Sequence, residues 1–283
     1  MNKTIKTLVA LLPLFITSCY NDDTTVTTNP QQDRVVTINA GITREGSSTT
    51  GSDFASGDKI LITNVTRKNA GLICNSAVFT YDGSSWTSEG TLLWSAGEEE
   101  NIFQAVYPST ASYSSFTVPS DQSDADKLKS ADWMTCEKTV TLNNLTTASS
   151  LNLEFKRKMA MVVVQITGAS VNTLASLTVE SPSSDNNNIT FENQDHKITA
   201  YKDANTGNMF SAIIAPGSKS SGAPLCTLSL SNSTEKSLKL QSDINFEAGK
   251  KYTFQCSLTS QPDSAPTRSA TPDNLTLVSV EPM

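Results

Sequence analysis

Leu151-Asn152-Leu153-Glu154-Phe155, followed shortly by Met161-Val162-Val163-Val164-Gln165-Ile166, decides the fold class. In the first run apolar and polar residues alternate, so every second side chain points to one face, as in a half-buried strand. The second run is rich in β-branched residues, which suit a pleated surface better than a helix. Outward from this stretch the signal recurs in both directions. Runs at 35–38, 59–62, 78–81 and 102–107 precede it, and runs at 177–179, 198–201, 209–213, 225–230, 237–240 and 252–258 follow it. Clusters of Gly, Asn, Asp and Ser separate them at short spacing, the pattern of antiparallel sandwiches. Asp82-Gly83, between Tyr81 and Trp86, reads as a hairpin loop with glycine at positive φ and aromatics packed across the pair. The best helical candidate is the charged stretch 124–131. The chain is therefore expected to be all-β, with too many strands for one simple sandwich. The junction is placed near residue 150, giving an N-terminal sandwich over 34–150 and a C-terminal sandwich with a tail strand over 151–283.

The amino end carries an export signal. Lys3 and Lys6 form its positive head, residues 8–16 its apolar centre, and Thr17-Ser18 the small residues a signal peptidase tolerates before its cut. An apolar part of about nine residues is too short for a bilayer core that needs about twenty. Leu14-Phe15-Ile16-Thr17-Ser18-Cys19 resembles a bacterial lipobox, which implies a signal peptide over 1–18 and acyl chains such as palmitate on Cys19. Multiple acylation anchors far more firmly than one chain. An ordinary secretory signal with a chance cysteine is the other reading. Tyr20-Asn21-Asp22-Asp23 resembles the acidic signal that sends some lipoproteins to the outer face of the outer membrane, although a solvated linker start has the same look. Residues 19–33 are polar, without apolar period, and read as a flexible tether.

Composition narrows the partners. The chain is 37% hydrophobic and 17% charged, which suits a globular protein with a Ser/Thr/Asn-rich surface. Its net charge of -7 makes it a poor partner for nucleic acid, whose phosphates demand a basic face. The longest basic stripe, Lys156-Arg157-Lys158, reads as a solvated strand end. Besides Cys19 there are Cys74, Cys136, Cys226 and Cys256, without a C-x-x-C pair that would support zinc or thioredoxin-type chemistry. Cys226 and Cys256 sit on the apolar faces of alternating strands. Two outcomes stay open for them, a disulfide inside one sandwich or two buried thiols.

No catalytic residue, cofactor or metal site is expected. The sole histidine, His196, lies in a polar loop and reads as a solvated turn residue. There is no Gly-x-Ser-x-Gly elbow, His-Glu-x-x-His helix or phosphate loop. The acidic group Asp121, Asp124 and Asp126 lacks the glycine and twelfth-position glutamate of an EF-hand.

Several fragments in a set order carry a family resemblance. Thr43-Arg44 follows the strand at 35–42 and precedes Phe54, Gly57-Asp58 and Ile60. Phe79 and Tyr81 come next, with Trp86 and Leu93-Trp94, and then Phe103, Ala105 and Tyr107-Pro108. Asp121-Gln122-Ser123 and Ala131-Asp132-Trp133-Met134 complete the amino half. Their order and spacing resemble the fimbrillin (Mfa-like) family, the lipoprotein-derived subunits of type V pili. Leu151, Leu153 and Phe155 with Met159-Ala160, and Phe246-Glu247-Ala248-Gly249-Lys250 with Tyr252, extend the resemblance to residues 35–258. Lys156 and Lys158 depart from it, standing where many members have a histidine.

The resemblance implies two transthyretin-like antiparallel β-sandwiches in tandem and a structural or adhesive role in a fimbrium at the cell outer membrane. Implied partners are other fimbrial subunits through strand exchange, the outer membrane through lipid, and a receptor on a host or bacterial surface. In the family a protease cuts behind an arginine after the first strand, whose loss opens a groove that a neighbour's strand fills. An open groove exposes apolar side chains and unpaired backbone groups, and a donated strand satisfies both. Here the cut would follow Arg44; otherwise Arg44 is a plain loop residue and the subunit stays anchored. The donor would be the tail strand 274–280, with Leu275, Leu277 and Val280 as anchors, after a Pro/Ser-rich linker. An edge strand folded back on its own domain is the other reading. A different class, a stand-alone surface lipoprotein binding glycan or protein, would use Trp86, Trp94 or Trp133 to stack on sugar rings, against a plain core role for each.

Overall fold

Alternating apolar positions turn inward along nearly every strand, and two cores result. The computed structural model describes residues 35–42, 54–67, 76–95, 100–141, 150–168, 173–183, 188–258 and 274–283. In chain order the strands are β1 (Ile38–Ile42), β2 (Lys59–Asn64), β3 (Ser76–Tyr81), β4 (Trp86–Ser88), β5 (Glu100–Tyr107), β6 (Phe116–Val118), β7 (Met134–Thr141) and β8 (Leu151–Arg157). Then come β9 (Ala160–Thr167), β10 (Leu174–Glu180), β11 (Ile189–Phe191), β12 (Lys197–Thr199), β13 (Tyr201–Lys202) and β14 (Met209–Ile214). The last are β15 (Gly217–Lys219), β16 (Pro224–Leu230), β17 (Glu235–Leu240), β18 (Ile244–Phe246), β19 (Lys250–Ser257) and β20 (Asn274–Pro282), and helix α1 (Ala125–Ser130) lies between β6 and β7.

A seven-stranded sheet runs β1-β8-β7-β5-β2-β3-β4, and its inward residues, among them Ile60, Ile62, Phe103, Leu153 and Phe155, build the first core. A nine-stranded sheet runs β12-β10-β16-β17-β20-β19-β9-β14-β13 and encloses the second core around Val162, Val164, Phe210, Leu228 and Phe254. Its end strands β12 and β13 are separated in the chain only by Ala200, so this sheet rolls back on itself. Burial of each large side chain contributes roughly 1.5–3 kcal/mol.

The chain is all-β, as its alternation predicts, but three details differ from the expected arrangement. First, β8, expected at the head of the C-terminal sandwich, belongs to the seven-stranded sheet, because Leu151, Leu153 and Phe155 pack in the first core. The chain changes sheet between Arg157 and Ala160. Secondly, the segment from Phe116 to Trp133 crosses over: Phe116, Val118, Ala131 and Trp133 sit in the second core, and β6 pairs in parallel with β11. Thirdly, the ladders are mixed rather than purely antiparallel, with β1 parallel to β8, β9 to β19 and β17 to β20. Long connections join these partners, so no hairpin dictates their direction.

The crossing segment is pinned by polar groups. Gln122 is fully buried; its amide donates to the Ile213 carbonyl at 2.9 Å and accepts from the Ile213 N–H at 2.8 Å. Asp124 caps α1 by accepting from the Lys127 N–H at 2.8 Å, with Asp126 in the first turn and Lys127 and Lys129 in the last, as the helix dipole favours. The expected stretch 124–131 is this helix with its caps.

Candidate strand-exchange surfaces

β1 is an edge strand that holds core residues. It pairs in parallel with β8, from Ile38 opposite Leu151 to Ile42 opposite Phe155. Ahead of the strand the Val36 N–H donates to the Leu92 carbonyl at 2.8 Å. Val36, Ile38 and Ile42 are buried in the first core. On its outer side β1 faces β4 across a cleft of about 480 Å³, walled by Thr37, Asn39, Tyr81, Ser85 and Trp86 over Phe79. Among the described residues β1 therefore has a strand-length ladder on one side only. Hydrogen bonds brace the far wall. Asp82 closes the β3–β4 hairpin by accepting from the Ser84 and Ser85 N–H groups at 2.7 Å each, bonds that hold its carboxyl well below the usual range. Gly83 takes φ +103° in that turn, as the Asp-Gly pair predicts.

β20 is the second exchange candidate. It lies between β17 and β19, antiparallel to β19 from Gln255 opposite Thr276 to Lys250 opposite Pro282. With β17 it shares only Lys239 opposite Asn274 and Leu240 opposite Leu275. Of the expected anchors, Leu275 is buried in the chain's own second core, whereas Leu277 and Val280 are exposed along with Val278. The tail strand is thus docked in cis in the isolated chain, by a single buried apolar side chain.

Polar contacts secure its far end. The Met283 N–H donates to the Gly249 carbonyl at 2.8 Å, and Lys251 pairs with Glu281 at 2.9 Å, holding the Glu281 carboxyl below its ordinary range. Arg157 donates Nη1 to the Met283 carbonyl at 2.9 Å and Nε to Asp132 Oδ2 at 2.8 Å. This corrects the reading of 156–158 as a solvated strand end: Arg157 is largely buried, because Asp132 and the tail close over it. Burial pushes the Asp132 carboxyl up while Arg157 pulls it down, and among the described residues Asp132 Oδ1 has no hydrogen-bond partner. Beside it, buried Asp58 accepts from Lys129 at 2.7 Å, Tyr107 at 3.2 Å and the Ala55 N–H at 2.7 Å. Neither Arg157 nor Asp58 stands out in the sequence as a junction residue, since their partners converge only through the fold.

Other expected residues fall as follows. Cys19 and Arg44 lie outside the described residues, Arg44 just past the end of β1 in sequence. Cys226 and Cys256 are buried thiols in the second core and are not joined in a disulfide. Burial drives the Cys226 thiol far above its ordinary range. His196 has φ 53° and stacks on Phe191 with ring centroids 4.0 Å apart, so it is a turn residue with an aromatic partner. Trp94 and Trp133 are buried. Trp133 stacks on Phe116 and donates its indole N–H to the Ser112 carbonyl. Trp86 stays half-buried at the β1–β4 cleft, beside Phe54 and Tyr81.

Two sheets around separate cores, one with an edge strand that supplies core residues, define the class as an all-β sandwich protein. The fimbrillin-like family model matches residues 43–278, and the chain belongs to that family. Among curated proteins none matches. Solved structures that share the fold include two from Bacteroides. One is a putative cell adhesion protein from Bacteroides ovatus, 15% identical, covering 89% of this chain and 98% of its own, with TM-score 0.58. The other is a putative cell adhesion protein from Bacteroides uniformis, 16% identical, covering 88% and 98%, with TM-score 0.56.

Proposed function

We propose that this chain is a lipid-anchored subunit of a surface fimbrium that assembles by strand donation. Membership of the fimbrillin-like family supports the fimbrial role and a place at the cell surface. The observation that favours strand donation is the state of β1, laddered along one side only among the described residues, yet holding Ile38 and Ile42, with Val36 just ahead, in the core. In this reading Cys19 carries the lipid that brings the subunit to the outer face of the outer membrane. Cleavage after Arg44 then frees the chain from that lipid together with β1. Loss of β1 uncovers the β8 edge and the side chains it shielded, and a neighbour's tail strand fills the space. In this reading the chain forms the family's two tandem transthyretin-like sandwiches, which the presence of two cores supports. The role is structural or adhesive rather than catalytic.

Incubating the purified chain with a trypsin-like protease tests the proposal. The expected result is cleavage after Arg44 followed by a ladder of oligomers on a denaturing gel, with the Arg44→Ala variant staying uncut and monomeric. A chain cut after Arg44 that remains monomeric at every concentration overturns the strand-donation reading. An uncut monomer that binds glycan through Trp86 favours the stand-alone binding lipoprotein instead.

A further inference from the structure

Strand β20 is over-connected for the place it occupies. The described chain stops at Leu258, at the end of β19, and resumes at Asn274, at the start of β20. These strands are antiparallel neighbours, with Gln255 already opposite Thr276. Adjacent strands lie about 4.8 Å apart, and a hairpin of roughly 2–5 residues would join them. Residues 259–273 intervene instead, a segment that extended would reach roughly 50 Å. It includes Pro262, Pro266 and Pro272 among Ser and Thr, the composition of a linker rather than a turn.

We infer that β20 is exchanged between two copies of this chain, each tail docking on β19 of the other copy in the register seen within one. Every contact that holds the tail in cis is available unchanged in trans. Leu275 fills its core position, six ladder positions form with β19, Lys251 meets Glu281, and Arg157 and Gly249 hold Met283. Cis docking is therefore favoured only by local concentration, millimolar for short flexible linkers and falling as the linker lengthens. The seam itself requires a strand, because among the described residues β20 alone joins β17 to β19 and the rolled sheet is open there without it. The exposed Leu277, Val278 and Val280 add an apolar strip to the part of β20 beyond its two-residue ladder with β17, a surface that favours association over a solitary monomer. The exchange is reciprocal and closed, so it yields a two-fold dimer rather than a filament. It needs neither a cut after Arg44 nor loss of β1, and it is a state the tail must leave before it fills a neighbour's groove in the proposed fimbrial assembly.

Two single variants of the full chain, Gln255→Cys and Thr276→Cys, test it. Both positions are exposed and face each other across the β19–β20 ladder. Mixed at high concentration in an oxidising glutathione buffer, they are expected to give a disulfide-linked dimer containing one of each, identified by mass. The unmodified chain, run in parallel, corrects for its own thiols. The variant carrying both substitutions is expected to close within one chain when dilute. Closure of that double variant with only monomers in the mixture overturns the inference. Sedimentation of the unmodified chain provides an independent reading. A dimer fraction that rises with concentration and vanishes on deletion of residues 274–283 supports exchange, and a monomer throughout overturns it.

Discussion

Arg157 shows how far a side chain's role depends on what folds against it. In sequence it sits between two lysines and has the look of a hydrated strand end. In the fold its guanidinium reaches Asp132 on one side and the Met283 carbonyl on the other, with the Asp132 carboxyl largely enclosed. Replacing it by alanine strands a buried charge, so Arg157→Ala is expected to cost about 3–5 kcal/mol in urea unfolding, and Asp132→Asn combined with it should recover part of that loss. The pH dependence has a definite sign. The folded-state pKa of Asp132 is raised, chiefly by burial. Its contribution to stability is therefore present below the unfolded carboxyl range and lost as pH rises through the raised value. The deficit of Arg157→Ala relative to the parent should shrink on mild acidification, checked by repeating the unfolding at neutral and acidic pH. Gln122 makes the complementary case. The sequence marks it as part of a family-like Asp-Gln-Ser element, but only the structure explains it, as a buried amide satisfying both backbone groups of Ile213.

At the scale of the element, the two ends of the chain supply strands with different attachments. β1 brings Ile38 and Ile42 to the first core, with Val36 just ahead of it, whereas β20 brings Leu275 alone to the second and leaves Leu277, Val278 and Val280 in solvent. Leu275→Ala is expected to weaken docking of the tail by roughly 2–5 kcal/mol. Faster hydrogen exchange along β20 and its β19 partners, with β9 and β14 unchanged, would show this. Acid should act in the same place. The Glu281 carboxyl is depressed by its bond to Lys251, so the stabilisation it provides is present above the ordinary glutamate range and lost as pH falls through the depressed value. Titrating the β20 amide signals by NMR should show the tail loosening at acid pH in the parent and a flatter response in Glu281→Gln. Both strands were visible in the sequence as apolar runs. Their partners were not, because a parallel ladder such as β1 with β8 joins segments far apart in the chain and leaves no turn signal between them.

The whole molecule joins two cores through shared segments. β8 ends in the first and leads directly into β9 in the second, while residues 116–133 leave the first sheet to pack in the second core before β7 returns. Loss of β1 should therefore open the first core without dissolving the second. After cleavage behind Arg44, binding of a hydrophobic dye should rise and then fall when a peptide of residues 35–42 is restored, while hydrogen exchange along β9 and β19 stays slow. A parallel collapse of both cores would show that the shared segments make the unit indivisible.

The sequence by itself determined the all-β class, the hairpin at Asp82-Gly83, the capped helix, most strand positions and the inward face of each, because alternation and turn chemistry act between near neighbours. It also carried enough scattered fragments in order to reveal the family. Tertiary structure decided the sheet change after β8, the parallel ladders, the burial of Arg157 and Trp133, and the docking of the tail on its own domain. Those outcomes depend on which distant surfaces meet when apolar faces are buried together, and no local pattern encodes such a meeting.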